Sequence, residues 1–157
     1  MDVKKIFARL EYKQISKRLR RGKILGAKEG KWTNVKPPYP YIYNSETQQL
    51  EVDPEKYKVY REIIDMALSG IPANRIAWEL NKLDIKSPGD SYWSNNAVYR
   101  ILKDQTHLGK IVFAKQKGSG HKNRKTKPFK IFDEKDWIIV DGKHQQIKTT
   151  EEHAKIM

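Results

Sequence analysis

Three short runs of helical period fill residues 54–103, and they limit what this chain can fold into more than any other feature. The first puts Tyr60, Ile63, Ile64 and Ala67 on one face at i, i+3, i+4 and i+7. Asp53 is its N-cap, Pro54 suits its first turn, Glu55 sits at the positive end of its dipole, and Gly70 stops it. The second starts at Pro72 and turns Ile76, Ala77, Leu80 and Leu83 inward, leaving Asn74, Arg75, Glu79 and Lys82 outside. The third takes Ser94 as its N-cap and gathers Val98, Ile101 and Leu102 on one side. Helices this short bury their stripes only against one another, so a small helical core is expected.

The turn between the second and third runs, "DIKSPGDSYW", holds Pro88-Gly89. Two helices so joined form a helix-turn-helix-like unit whose second helix can enter a major groove. At about 100° per residue, Asn96, Arg100 and Lys103 fall opposite the apolar side, with Tyr99 at the edge. Capping accounts for Ser94, but it does not require a polar face two turns long. Amides suit adenine and a guanidinium suits guanine by bidentate geometry; the plain alternative is a solvated face. Trp93 and Trp78 are expected to pack between helices rather than stack on bases.

The charge points the same way. The 157 residues carry a formal net charge of +13, which calls for a polyanionic partner. Residues 1–36 hold twelve Lys/Arg against three acids and residues 103–130 nine against one, while both remaining stretches are slightly acidic. Two basic blocks thus bracket a near-neutral core, as in a folded domain with an arm and a loop laid on phosphates. No apolar run is long enough to span a bilayer and no signal peptide or lipidation signal is visible, so no membrane partner is expected and the location expected is cytoplasmic. The chain has no cysteine, and His107, His121, His144 and His153 lack ligand partners at metal-site spacing, so neither metal nor cofactor is expected.

Flanking the core, residues 3–29 read as a thinly apolar helix (Val3, Phe7, Leu10, Ile15, Leu19) that should protrude, loosened at its far end by Gly22, Gly26 and Gly30. "KEGKWTNVKPPYPYIY" continues as an extended basic segment because Pro37, Pro38 and Pro40 push their predecessors out of the α region, and "QQLEV" is a short strand. "GKIVFAK" and "DWIIV" read as paired strands enclosing "QKGSGHKNRKTKP", a flexible basic loop over 116–128. Asp133, Glu134 and Asp136 crowd into one turn, which suits an N-cap better than magnesium, and "TTEEHAKIM" starts a last helix from Thr149 or Thr150. The fold class expected is α+β: a small helical core with a helix-turn-helix-like unit, a short β-hairpin or small sheet, and a protruding N-terminal basic helix.

In their order and spacing, "SKRLRRGKILGAKEGKW", "PPYPY", "LEVDPEKYKVYREIIDMALSG", "RIAWELNKLDI", "WSNNAVYRILKDQTHLGKIVF" and "DGKHQQIKTTEEHAKIM" resemble one family. It is the recombinase domain of large serine site-specific recombinases, the integrases and transposases of phages and mobile elements. The resemblance runs from about Leu10 to Met157 and departs from the family at Pro40 and Asp84, where glycine is usual, and at His107, where tyrosine is. It implies a bacterial or phage-encoded protein whose residues 1–36 are a connecting helix and basic linker and whose residues 37–157 bind DNA. The serine catalytic domain and the zinc ribbon would lie outside the chain, so no residue here is expected to be catalytic.

By the same resemblance, Arg18, Arg21, Lys23, Lys28, Lys31 and Lys36 would follow the backbone or minor groove of a double-stranded attachment half-site. Ser94, Asn95, Asn96, Tyr99, Arg100 and Lys103 would lie at the major groove. Lys117, His121, Lys122, Asn123, Arg124, Lys125 and Lys127 would supply a third contact from the loop. The full-length protein would be a homo-oligomer and the fragment monomeric. Three other readings compete. A free-standing transcriptional regulator would need a dimer seam that is not visible, a nuclease would need a metal cluster, and an RNA binder would need aromatics alternating on a strand.

Overall fold

The structure, a computed structural model, describes residues 3–34, 36–113, 115–117 and 130–157. It is α+β, and its contacts divide into two compact units, one from the described residues of Met1–Asn34 and Ile111–Gly142, the other from those of Val35–Lys110 and Lys143–Met157.

The second unit holds the helical core. It opens with a hairpin in which β1 (Tyr41–Asn44) pairs antiparallel with β2 (Gln49–Val52), Tyr41 opposite Val52 and Asn44 opposite Gln49. The Asn44 carboxamide oxygen closes the turn by accepting from the amides of Glu46 (2.9 Å) and Thr47 (3.3 Å). β2 is the strand expected at "QQLEV"; its partner lies within the stretch read only as extended. α2 (Pro54–Leu68) starts as its sequence dictates, with Asp53 Oδ1 accepting from the Glu55 and Lys56 amides at 3.1 and 3.3 Å. Lys56 at this cap also holds the Asp53 carboxyl below the usual carboxylate range.

α3 (Ala73–Lys82) follows Pro72, and α4 (Asn95–Lys103) follows Ser94. α2 and α3 end alike. Gly70 at φ 81° and Asp84 at φ 53° donate to the carbonyls of Ala67 and Asn81, and the next amides, of Ile71 and Ile85, reach back to Met66 and Leu80. Asp84 thus adopts the left-handed turn that glycine would take more cheaply. Tyr60, Ile63 and Ile64 of α2, Ile76, Ala77 and Leu80 of α3, and Val98, Ile101 and Leu102 of α4 are buried with Trp93. Each large aliphatic in this set contributes about 1.5–3 kcal/mol.

Leu83 and Trp78 depart from expectation. Leu83 stands at the C-cap of α3 and is 65% exposed, because the helix ends before its side chain can turn inward. Trp78 is 48% exposed and does not pack between helices; it lies about 200° round the helix from Ile76. α5 (Thr150–Ile156) closes the unit. Its capping box joins Thr149 and Glu152, and the same Glu152 holds Arg61 of α2 at 2.9 Å.

In the first unit, α1 (Val3–Lys28) is exposed at every residue from Val3 to Lys23. The helix runs unbroken through Gly22 and Gly26, against the expectation that they loosen it. Gly26 instead permits a close approach, since a Cβ there would meet the Thr33 methyl at 2.9 Å. Gly30, at φ 78°, ends the helix with bonds from its own amide to Ala27 and from Lys31 to Gly26. β3 (Lys110–Phe113) pairs with β6 (Ile138–Asp141), as the two apolar strands were expected to. β4 (Gln116–Lys117) pairs antiparallel with β5 (Lys130–Ile131). Residues 116 and 117, expected in the loop, therefore belong to a ladder. Asp133 occupies the N-cap position of the 3₁₀ turn Glu134–Asp136 but makes no capping bond; its carboxylate lies 3.6 Å from Lys135.

Candidate nucleic-acid interface

α4 divides its residues sharply. Val98, Ile101 and Leu102 are at most 7% exposed, while Asn95, Asn96, Tyr99, Arg100 and Lys103 all lie on the exposed side. Among the described residues Asn95, Asn96 and Arg100 make no side-chain hydrogen bond or ion pair, so the fold gives these donors no internal work. Lys103 lies 5.1 Å over the Tyr99 ring.

Three fixtures hold that face in place. Ser94 Oγ accepts from the Ala97 amide at 3.1 Å and starts the helix. Asn81, in the last turn of α3, clamps the residue before the cap: its Oδ1 accepts from the Trp93 amide at 2.7 Å and its Nδ2 donates to the Trp93 carbonyl at 2.9 Å. The Trp93 ring is buried and meets Tyr39 edge-on at 5.8 Å. At the other end of α4, the ammonium of Lys148 donates to the carbonyls of Leu102 (2.8 Å) and Asp104 (3.4 Å). Burial pulls the Lys148 pKa down to about 8.

Beside Lys148 sits a buried polar cluster. His107 Nε2 donates to the Tyr39 carbonyl at 2.7 Å, and His144 Nε2 to that of Thr106 at 2.8 Å. The His107 carbonyl accepts from the amides of Ile147 and Lys148, joining the last segment of the chain to the end of α4. Tyr60 lies edge-on to His107 at 4.7 Å. Burial above all pushes the His107 pKa down to about 4, so the ring is neutral near pH 7.

On α1, Arg21 and Lys28 share one face with Lys17 and Arg20, and the four cations line a depression of ≈400 Å³ with Ile24 and Leu25. Arg18 lies about 60° round the helix from Arg21, and Lys23 on nearly the opposite side. Lys31 pairs with Glu29 at 2.9 Å. Lys36, in the other unit, borders a cleft of ≈250 Å³ with Tyr39, Tyr43 and Lys56. Lys117 falls in β4, while His121, Lys122, Asn123, Arg124, Lys125 and Lys127 lie outside the described residues.

Sequence reasoning missed Lys17 and Arg20, although Lys17, Arg20 and Arg21 stand at i, i+3 and i+4 with Lys28 seven residues after Arg21. It also passed over Tyr92, 75% exposed two residues before the α4 cap, with Lys86 5.4 Å over its ring. Asn81 and Lys148 carried no local signal. Among the described residues no His/Cys/Asp/Glu group could hold a metal ion, and no helix is long and apolar enough to cross a membrane.

A capped three-helix core exposing one amide- and guanidinium-bearing helix defines a small α+β domain with a candidate nucleic-acid face. Residues 54–157 match the Recombinase family model, and the chain belongs to that family. Two solved structures share its fold. One, from work on the sequence requirements of the Listeria innocua prophage attP site, superimposes with a TM-score of 0.60 at 18% identity, covering 88% of this chain and 49% of that one. The other is a crystal structure of an LSR–DNA complex, with a TM-score of 0.59 at 18% identity, covering 88% of this chain and 37% of that one. The chain therefore spans about half of the first and little more than a third of the second.

Proposed function

We propose that this chain binds double-stranded DNA sequence-specifically, with α4 in the major groove, and so positions a separate serine catalytic domain on an attachment half-site for site-specific recombination. The observation that carries this is the face of α4. Asn96 and Arg100 stand one turn apart, exposed and without internal partners, on a helix fixed at both ends. A carboxamide can take the N6/N7 edge of adenine, and a guanidinium the O6/N7 edge of guanine. Family membership and the DNA in one related structure support the reading.

The roles divide along the chain. Residues 1–36 serve as connecting helix and basic linker, with Arg18, Arg21, Lys23, Lys28, Lys31 and Lys36 on the backbone or minor groove. Residues 37–157 serve as the DNA-binding domain, with residues 116–128 as a further phosphate contact. Chemistry at phosphorus belongs to a domain outside these residues, and no serine here forms a covalent link to DNA. Ion-dependent binding tests the electrostatic half of the proposal: with about six to eight phosphates neutralised, log K falls against log salt with a slope of roughly −5 to −7. A slope near zero on duplex DNA would return the basic blocks to solvated surface.

A further inference from the structure

We propose that Arg75, Trp78 and Lys82 on α3 form a phosphate contact that grips one DNA strand beside the groove α4 enters; this rests on the reading of α4 above. The three residues lie about 200–260° round the helix from Ile76, opposite the face that packs into the core. Trp78 is 48% exposed there, with the Arg75 guanidinium 4.3 Å and the Lys82 ammonium 5.1 Å from its ring centre. Packing does not explain an indole at this place. Cation–aromatic pairing at an exposed site is worth far less than burying the ring would give.

The arrangement offers an anion two positive charges and an indole N–H along a single stripe. Among the described residues only Glu79 opposes it, at 3.3 Å from Arg75, and a phosphate oxygen can replace that carboxylate as the guanidinium's partner. α3 packs directly against α4. When the second helix of such a pair lies in a major groove, the first crosses the sugar-phosphate backbone, which brings this stripe to a strand. The occupant is therefore duplex backbone, bound without regard to sequence.

The test is acrylamide quenching of tryptophan fluorescence in the full chain and in Trp78→Phe, with and without a mixed-sequence duplex at low salt. Binding is followed in parallel through the anisotropy of the labelled duplex. The difference between the two proteins isolates Trp78, since the other three tryptophans, the buried Trp32 and Trp93 and the part-buried Trp137, are common to both. Saturating duplex should reduce quenching of the Trp78 component several-fold. Arg75→Ala and Lys82→Ala should each lower the salt slope by about one unit, and Glu79→Gln should tighten binding a few-fold on every sequence. Arg75, Trp78 and Lys82 are exposed and Glu79 is half-buried, and urea midpoints check that each variant folds.

Trp78 remaining fully quenchable while duplex is bound overturns the contact, even if Asn96→Ala and Arg100→Ala lose discrimination and α4 reads as proposed. Shielding of Trp78 by duplex with no such loss supports the α3 contact and overturns the reading of α4. Failure to bind duplex at all removes both. Shielding that grows with protein concentration in the absence of DNA would mark a protein interface and overturn the contact.

Discussion

Asn81 shows how one side chain can set the direction of a whole helix. Its carboxamide makes both possible backbone bonds to Trp93, so the chain enters Ser94 at a fixed angle and α4 starts from a fixed point. Asn81→Ala would leave the part-buried amide and carbonyl of Trp93 unpaired, at a cost of about 1–3 kcal/mol. The urea midpoint should drop accordingly while the salt slope stays unchanged, since both ends of the Asn81 carboxamide are taken by Trp93. Asn81→Asp should be little better, because a second carboxylate oxygen would then confront the Trp93 carbonyl. A slope that fell with the midpoint would mean that Asn81 itself touches DNA.

At the scale of the element, α4 is a nine-residue helix held by its ends, with Ser94 at one and the buried Lys148 ammonium at the other. The ammonium sits where the helix dipole is negative and satisfies a carbonyl that water cannot reach. Lys148→Met keeps the volume and removes the donor; thermal or urea unfolding should register a loss of about 1–3 kcal/mol, and amide exchange should quicken in the last turn of α4. Unchanged protection there would show that the cap is dispensable. The two ends differed in how far the sequence revealed them. Ser94 was legible because its partner is three residues away, whereas Lys148 reaches Leu102 across forty-six positions and has no local signature. The helix stripes were legible for the same reason, since Tyr60, Ile76 and Val98 follow a short period. Leu83 was misjudged by carrying that period past the helix end, and Trp78 by letting hydrophobicity overrule its place on the wheel. The Tyr41–Asn44 strand was hidden by the prolines before it.

Across the whole molecule, stability and recognition respond to different variables. His107 is neutral in the folded protein, with its pKa lowered to about 4 against about 6.5 when unfolded. Its contribution is fully present above about pH 6.5 and is lost as the pH falls towards 4, because the unfolded chain takes up the proton first; the loss approaches roughly 3 kcal/mol. Urea midpoints should fall through that window, and His107→Tyr should flatten the difference; parallel curves for both proteins would reject the assignment. The proposed recognition rests instead on the outer face of α4, and competition binding on the native half-site and on scrambled duplex measures it most directly. Arg100→Ala and Asn96→Ala should keep the wild-type unfolding curve and lose about 1–3 kcal/mol of preference for the half-site, with relaxed choice at a single base position for each. If Arg100→Ala keeps full discrimination while its melting temperature falls, Arg100 is structural and α4 does not read the bases.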